Sequence, residues 1–347
     1  MIKQFINQLI SQENLSQEES ARSFQIIMNG GATPAQIAAF LTALRMKGET
    51  VAEITGAAVA LRAKMHILSA PSLCIDVCGT GGDAQKTNSQ TKKGSLNIST
   101  AVALVVASGG VAVAKHGNKA VSSASGSADI LGELGVNIRA SREILEKALT
   151  EIGISFLFAP LFHPALRQVA PIRQELGIRT IFNLLGPLIN PASPKRQLLG
   201  VYSPDLLAQM IEVLQKLGSE KAWVVHGSDG MDELTLTGQS SVAQLEAGNI
   251  RFFEINPSSY GLSLCDTEAL KGGSPAHNAK ALQLLLSGKK SAYRDVVLLN
   301  SAAAFLIADK VDSIENGLVL AEKLIDSGKA KEKLAELVAF TNQIVAL

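Results

Sequence analysis

From Leu73 onward, short apolar runs alternate with helical patterns, and that alternation leaves few folds open. The runs cover residues 73–77, 111–114, 154–159, 198–202, 222–226 and 250–255, and glycines or turn residues bound many of them. Strands separated by helices point to an α/β domain with a mostly parallel sheet. A hydrophobic fraction of 47% with only 4% aromatic residues means an aliphatic core, which suits packed helices and buried parallel strands.

Residues 1–70 read differently, as helices. Ser16 and Glu19 form a capping-box pattern ahead of Phe24, Ile27 and Met28, and Gly30-Gly31 stops that helix. Thr33 is the expected N-cap of the next, with Pro34 at its first position and a stripe of Ile37, Phe40, Leu41 and Leu44; Gly48 ends it. Thr50 and Glu53 form a second box leading into Ile54, Ala57, Ala58 and Leu61. Three short helices of this kind make a small helical module. The expected division is a helical domain over 1–70 and an α/β domain over 71–347, as a length of 347 residues suggests about two domains. The stretch 163–194 carries five prolines and a helical segment near 167–176. It is expected to leave the sheet and pack on the helical module. Residues 278–286 and 302–347 read as mainly helical.

The net charge of +1 gives no global field for nucleic acid or a membrane surface, so any anion must be bound by a few well-placed groups. Cys74, Cys78 and Cys265 make no disulfide framework, and no His or Cys cluster accompanies them, so they are expected as small buried residues without zinc. The N-terminus lacks the apolar region of a signal peptide. The longest apolar stretches, 101–107 and 302–308, fall far short of the about 20 residues of a membrane span. A soluble cytoplasmic protein is expected.

Gly79-Thr80-Gly81-Gly82-Asp83 follows the first apolar run. Three glycines in four residues allow a tight turn whose N–H groups can face a phosphate or diphosphate. An ordinary strand-to-helix turn is the alternative. Asn97-Ile98-Ser99-Thr100 precedes an Ala/Val/Leu helix that Ser99 and Thr100 could cap; its N-terminus would offer free N–H groups to phosphate, and a hydroxyl there could ligate Mg2+. Lys115-His116-Gly117-Asn118 is expected to end the 111–114 strand, where open α/β sheets bind ligands. Lys115 offers a point charge to phosphate. His116 is either a structural donor or a catalyst. Ser122-Ser123-Ala124-Ser125-Gly126-Ser127 supplies hydroxyls at another helix start. Asp232-Glu233 follows the 222–226 run; the pair is either solvated or, facing a diphosphate, what Mg2+ requires. Arg173 is either a surface residue or a planar partner for a carboxylate.

Taken together and in this order, these motifs resemble the anthranilate phosphoribosyltransferase family over nearly the whole chain. The resemblance also takes in Ser125-Gly126-Ser127-Ala128-Asp129, Asn183-Leu184-Leu185-Gly186-Pro187-Leu188 and the run from Asp295 to Ala304. It implies a small helical domain plus a larger α/β domain, transfer of phosphoribose from phosphoribosyl diphosphate to the amine of anthranilate in tryptophan synthesis, and a homodimer joined through the helical domain. By matching position, Gly79, Gly82, Asp83, Ser95, Asn97, Ser99, Thr100, Lys115 and Ser127 would contact phosphoribosyl diphosphate, with Ile98 and Ser123 beside them. Ser99, Asp232 and Glu233 would hold Mg2+. Gly79, Asn118 and Arg173 would contact anthranilate, with His116 and Pro187 lining that pocket. Lys115, His116 and Arg173 are the catalytic candidates.

The segment 84–96 is longer than in the family and polar up to Gly94, and it reads as a lengthened loop that closes over the diphosphate. A pyrimidine nucleoside phosphorylase shares the expected fold but leaves the Asp232-Glu233 pair and the surroundings of Arg173 unexplained. A nucleic-acid-binding relative on the same scaffold would need a basic surplus that the near-zero charge does not supply.

Overall fold

The computed structural model describes residues 2–81, 94–120 and 124–343. The chain opens with four helices, α1 (Ile2–Ile10), α2 (Gln17–Met28), α3 (Pro34–Lys47) and α4 (Val51–Arg62). The expected capping boxes form at Ser16/Glu19 and Thr50/Glu53, Thr33 caps α3 with Pro34 in its first turn, and Gly48 closes α3 at φ 88°. The expectation of three helices is one short. α1 buries Ile2, Phe5, Ile6 and Leu9 on one face, a stripe too short to stand out as a helix.

The remaining elements run β1 (Ile75–Gly79), α5 (Ile98–Ser108), β2 (Val113–Gly117), α6 (Ser127–Glu133), α7 (Arg142–Glu151), β3 (Ile154–Phe158), α8 (Ala159–Phe162), α9 (Ala170–Leu176), α10 (Phe182–Leu185), β4 (Arg196–Gly200), α11 (Leu206–Lys216) and β5 (Lys221–Gly227). They continue through β6 (Ser240–Glu246), β7 (Asn249–Ile255), α12 (Pro275–Leu286), α13 (Ala292–Ile307), α14 (Ile314–Asp326) and α15 (Lys329–Thr341). One sheet has the order β3-β2-β1-β4-β5-β6-β7. The strands from β3 to β5 in that order are parallel, and β6 and β7 add an antiparallel edge. This is the α/β architecture expected from the alternation.

Three strands start two residues away from the expected position. The 73–77 run pairs over Ile75–Gly79, because Leu73 is outside the ladder and exposed. The 111–114 run pairs over Val113–Gly117, so Lys115 and His116 lie within β2 instead of after it. The 198–202 run pairs over Arg196–Gly200, since the ladder with β5 accepts a charged residue at the strand's first position. β6 has no counterpart in the expected runs. Its Ser240, Ser241 and Gln244 make it too polar to read as apolar, yet Ser240 and Gln244 are buried.

Two features of this frame position the cleft. The chain builds β1, β2 and β3 outward in one direction, then returns to lay β4 on the other side of β1. That reversal opens a crevice at the carboxyl ends of β1 and β4, where Gly79 faces Gly200 in register. The segment after α8 crosses to the N-terminal helices. Gln168 Nε2 donates to the Ile27 carbonyl of α2 at 2.6 Å, and the rings of Phe182 and Phe24 meet edge to face at 5.7 Å. α5 is almost entirely buried and packs against β1, β2, α13 and α15. Among the described residues no helix is long and apolar enough to cross a membrane.

Candidate active site

A cleft of about 330 Å³ lies at the crevice between the strand ends and the α9–α10 segment. At its floor, Gly81 turns at φ 68° and its N–H donates to Asp232 Oδ2 at 2.8 Å. A side chain at Gly79 would put its Cβ 2.2 Å from the same oxygen, so glycine is required for the Asp232 carboxylate to reach the end of β1. Gly82, Asp83 and Ser123, together with loop residues 84–93, lie outside the described residues. Ser95 lines the cleft and bridges to Lys271.

Ser99 and Thr100 do not cap α5. The helix begins at Ile98 with Asn97 in the N-cap position, and Asn97 makes no side-chain cap. Its amide is engaged elsewhere, donating to Ser125 O at 3.1 Å and accepting from Asn278 Nδ2 at 2.8 Å. The Ile98 N–H donates to Leu96 O at 2.7 Å, and the N–H groups of Ser99 and Thr100 in the first turn of α5 face the cleft end without a side-chain cap. Thr100 is buried, and its hydroxyl has no hydrogen-bond partner among the described residues. Ser99 Oγ accepts from Lys115 Nζ at 3.1 Å.

Lys115 is buried and also donates to the Val77 carbonyl at 2.7 Å. An ammonium has three donors, so one remains for a ligand. Burial lowers its pKa, while the negative charges of Asp76, Glu233 and Asp232 pull it back up. Asp76 is itself buried; it accepts from the His116 N–H at 3.3 Å and from Asn190 Nδ2 at 2.8 Å. His116 Nδ1 sits 3.1 Å from the Gly186 carbonyl, and its Nε2 sits 3.2 Å from Nε2 of His163. Burial and the neighbouring His163 push its pKa down to about 3. Asn118 and Ser127 line the cleft just beyond β2 and at the start of α6, with Ser127 Oγ against the Gly117 backbone.

Arg173, on α9, stacks its guanidinium 5.3 Å from the Phe182 ring centroid and faces the cleft half-buried, which lowers its pKa. It is not a plain surface arginine. Pro187 is buried on the same wall. Asp232 and Glu233 are 8% and 7% exposed and line the cleft, so the solvated reading of that pair fails. Among the described residues no three His, Cys, Asp or Glu side chains cluster as a metal site. The cleft is also lined by His163, Phe182, Asn183 and Gly186, to which the sequence alone assigns no role. The motif from Asn183 to Leu188 is the only sequence signal for the last two. A larger cleft, about 770 Å³, lies near the amino end of β5, but its Lys221 pairs with both Glu246 and Asp309.

A family model described as "Glycosyl transferase family, a/b domain" matches residues 72–331, and one described as "Glycosyl transferase family, helical bundle domain" matches residues 3–65. An anthranilate phosphoribosyltransferase of Rhizobium johnstonii is 51% identical over 343 residues, covering 99% of each chain. The chain belongs to the anthranilate phosphoribosyltransferase family. Solved anthranilate phosphoribosyltransferases share its fold throughout. The structure from Thermus thermophilus has a TM-score of 0.90 at 43% identity, covering 98% of this chain and 99% of that one. The one from Saccharomyces cerevisiae, in complex with PRPP and Mg, has a TM-score of 0.88 at 28% identity, covering 99% and 98%.

Proposed function

We propose that this cleft transfers the phosphoribosyl group of phosphoribosyl diphosphate to the amine of anthranilate, releasing diphosphate and forming N-(5-phosphoribosyl)anthranilate, a step of tryptophan biosynthesis. The observation that carries the reading is a convergence. Buried Lys115, the uncapped start of α5 and the Asp232-Glu233 pair meet at one end of a crevice that Arg173 enters from the other wall.

Cleaving the C1–O bond leaves negative charge on the departing diphosphate and builds positive charge on the ribose. The site must neutralise the first and hold the amine in line with the second. Lys115 and the α5 N–H groups serve the diphosphate, with Gly79, Gly82, Asp83, Ser95, Asn97, Ile98, Thr100, Ser123 and Ser127 around it. Arg173 clamps the anthranilate carboxylate, helped by Gly79 and Asn118, while His116 and Pro187 wall the ring. An aromatic amine is neutral at pH 7, so no strong general base is needed. His116 positions the substrate without taking its proton.

Mg2+ fits the donor set. Asp232, Glu233 and Ser99 present only oxygen, and this ion commonly takes one or two carboxylates plus substrate phosphates. The glycine at position 79 leaves room for Asp232 beside the phosphate loop. When bound, the ion supplies positive charge to the leaving diphosphate.

The division into 1–70 and 71–347, with 163–194 packed back on the helices, belongs to the same reading. So does a homodimer joined through the helical domain, which exposed Ile10 and Met46 support. Free cysteines, of which Cys74 and Cys78 are buried, support a cytoplasmic, reducing compartment. Mass spectrometry of the product formed from the two substrates tests the reaction: the phosphoribosylated amine is expected, and hydrolysis to free phosphoribose alone overturns it.

A further inference from the structure

Asn300 lies in α13, is 0% exposed and is not among the residues that line the cleft. Its amide nevertheless grips the residue that follows the carboxylate pair. Asn300 Oδ1 accepts the Leu234 N–H at 3.0 Å, and Nδ2 donates to the Leu234 carbonyl at 2.8 Å and to Val296 O at 2.8 Å. Both backbone polar groups of Leu234 are thus held by one side chain, in a core otherwise built of Val296, Val297 and Leu299. A buried amide left unmatched there would be costly, and this one is matched three times.

The loop is held from its other side as well. Gly200 ends β4, and a Cβ at that position would fall 1.5 Å from the Asp232 carbonyl oxygen and 2.3 Å from its carbon. The backbone of Asp232 therefore lies flat on the Gly200 Cα. No rearrangement of a flexible side chain could relieve such a contact, because the atoms met are backbone. Between Gly200 on the sheet and Asn300 on the helix, the two carboxylates have one place to stand.

We infer that Asn300 is a positioning residue for the Asp232-Glu233 pair, and that Gly200 seats the same loop from the sheet side. The inference rests on the reading that these two carboxylates hold a divalent cation. Asn300 touches neither substrate nor ion; it acts through Leu234.

The test is Mn2+ binding, followed by electron paramagnetic resonance with phosphoribosyl diphosphate present, in wild type and in Asn300→Ala, Asn300→Asp, Gly200→Ala and Glu233→Gln. Asn300→Asp keeps the volume and loses the donors. Supporting groups around metal ligands typically carry about 10–100-fold in affinity, so Asn300→Ala and Gly200→Ala should weaken Mn2+ by that factor. Glu233→Gln should weaken it too. Calorimetric binding of anthranilate should stay within about twofold of wild type, which a general loss of structure would not allow. Weakened Mn2+ in Glu233→Gln with unchanged Mn2+ in the folded Asn300 and Gly200 variants overturns the positioning role alone. Unchanged Mn2+ in Glu233→Gln overturns the metal reading and this inference with it. If Asn300→Ala or Gly200→Ala does not fold, the same comparison is made with Asn300→Asp, for which weakened Mn2+ supports the positioning role and unchanged Mn2+ overturns it.

Discussion

His163 and His116 meet Nε2 to Nε2 at 3.2 Å with their rings crossed at 63°. A carbonyl only accepts, so His116 Nδ1, facing Gly186 O, carries the proton. Its Nε2 is then bare and faces the His163 ring. Both ring nitrogens of His116 are enclosed by protein groups, and burial with the second histidine keeps the ring neutral down to about pH 3. A group so tied has no place for a substrate proton. A His116→Ala variant should therefore keep well over about 1% of the wild-type rate at saturating substrates, since a general base contributes about 10²–10⁴-fold. A deeper loss in kcat measurements would make His116 the base.

The same pair shapes acid stability. The folded-state pKa values, about 3 for His116 and about 4 for His163, lie below the ordinary 6.5. The unfolded chain then binds more protons, and stability falls as pH drops from 6.5 toward 3. Each histidine adds a slope of up to about 1.4 kcal/mol per pH unit. Urea denaturation of His116→Asn at pH 6.5 and pH 5 should show a smaller loss than wild type.

Arg173 is held against Phe182 on the α9–α10 wall of the cleft. A planar guanidinium grips a carboxylate in two places, and lysine cannot. A hydrogen bond to a charged group is worth about 1.5–3 kcal/mol, or roughly 10–100-fold. Steady-state kinetics of Arg173→Lys should show the KM for anthranilate raised by that factor and the KM for phosphoribosyl diphosphate nearly unchanged.

Gly79→Ala would place a methyl group 2.2 Å from Asp232 Oδ2 and force the carboxylate off the Gly81 N–H. Calorimetric affinity for phosphoribosyl diphosphate with Mg2+ should fall at least about tenfold, the scale of one lost charge-assisted hydrogen bond.

Far from the cleft, Lys47 Nζ and Glu53 Oε2 pair at 2.9 Å with both side chains buried, and Glu53 also accepts the Leu15 N–H. Removing one partner strands the other. Glu53→Ala should lose about 3–5 kcal/mol in denaturant unfolding, with kcat per folded molecule unchanged.

What the amino-acid order reveals depends on how local the cause is. The capping boxes at Ser16/Glu19 and Thr50/Glu53 span four residues each and form as written. Lys115, Ser99 and the Asp232-Glu233 pair are legible because strand ends followed by such residues are few. The sequence places the end of β2 too early, since a buried Lys115 inside a strand looks like its end until Val77 O and Ser99 are brought to it. The roles of His163 and Asn300 are not legible, although Asn300 falls within the run from Asp295 to Ala304. Their partners, His116 and Leu234, are 47 and 66 residues away, and only the fold brings them together.

Phosphoribosyl transfer at this cleft can be followed by anthranilate fluorescence with phosphoribosyl diphosphate added, with Mg2+ present and then chelated. Loss of the signal with stoichiometric diphosphate release is expected, abolished by chelation and by Asp232→Asn combined with Glu233→Gln. Undiminished turnover in chelator or in that double variant, or no turnover by the folded wild-type protein, would contradict the reaction and the role of the two carboxylates in it.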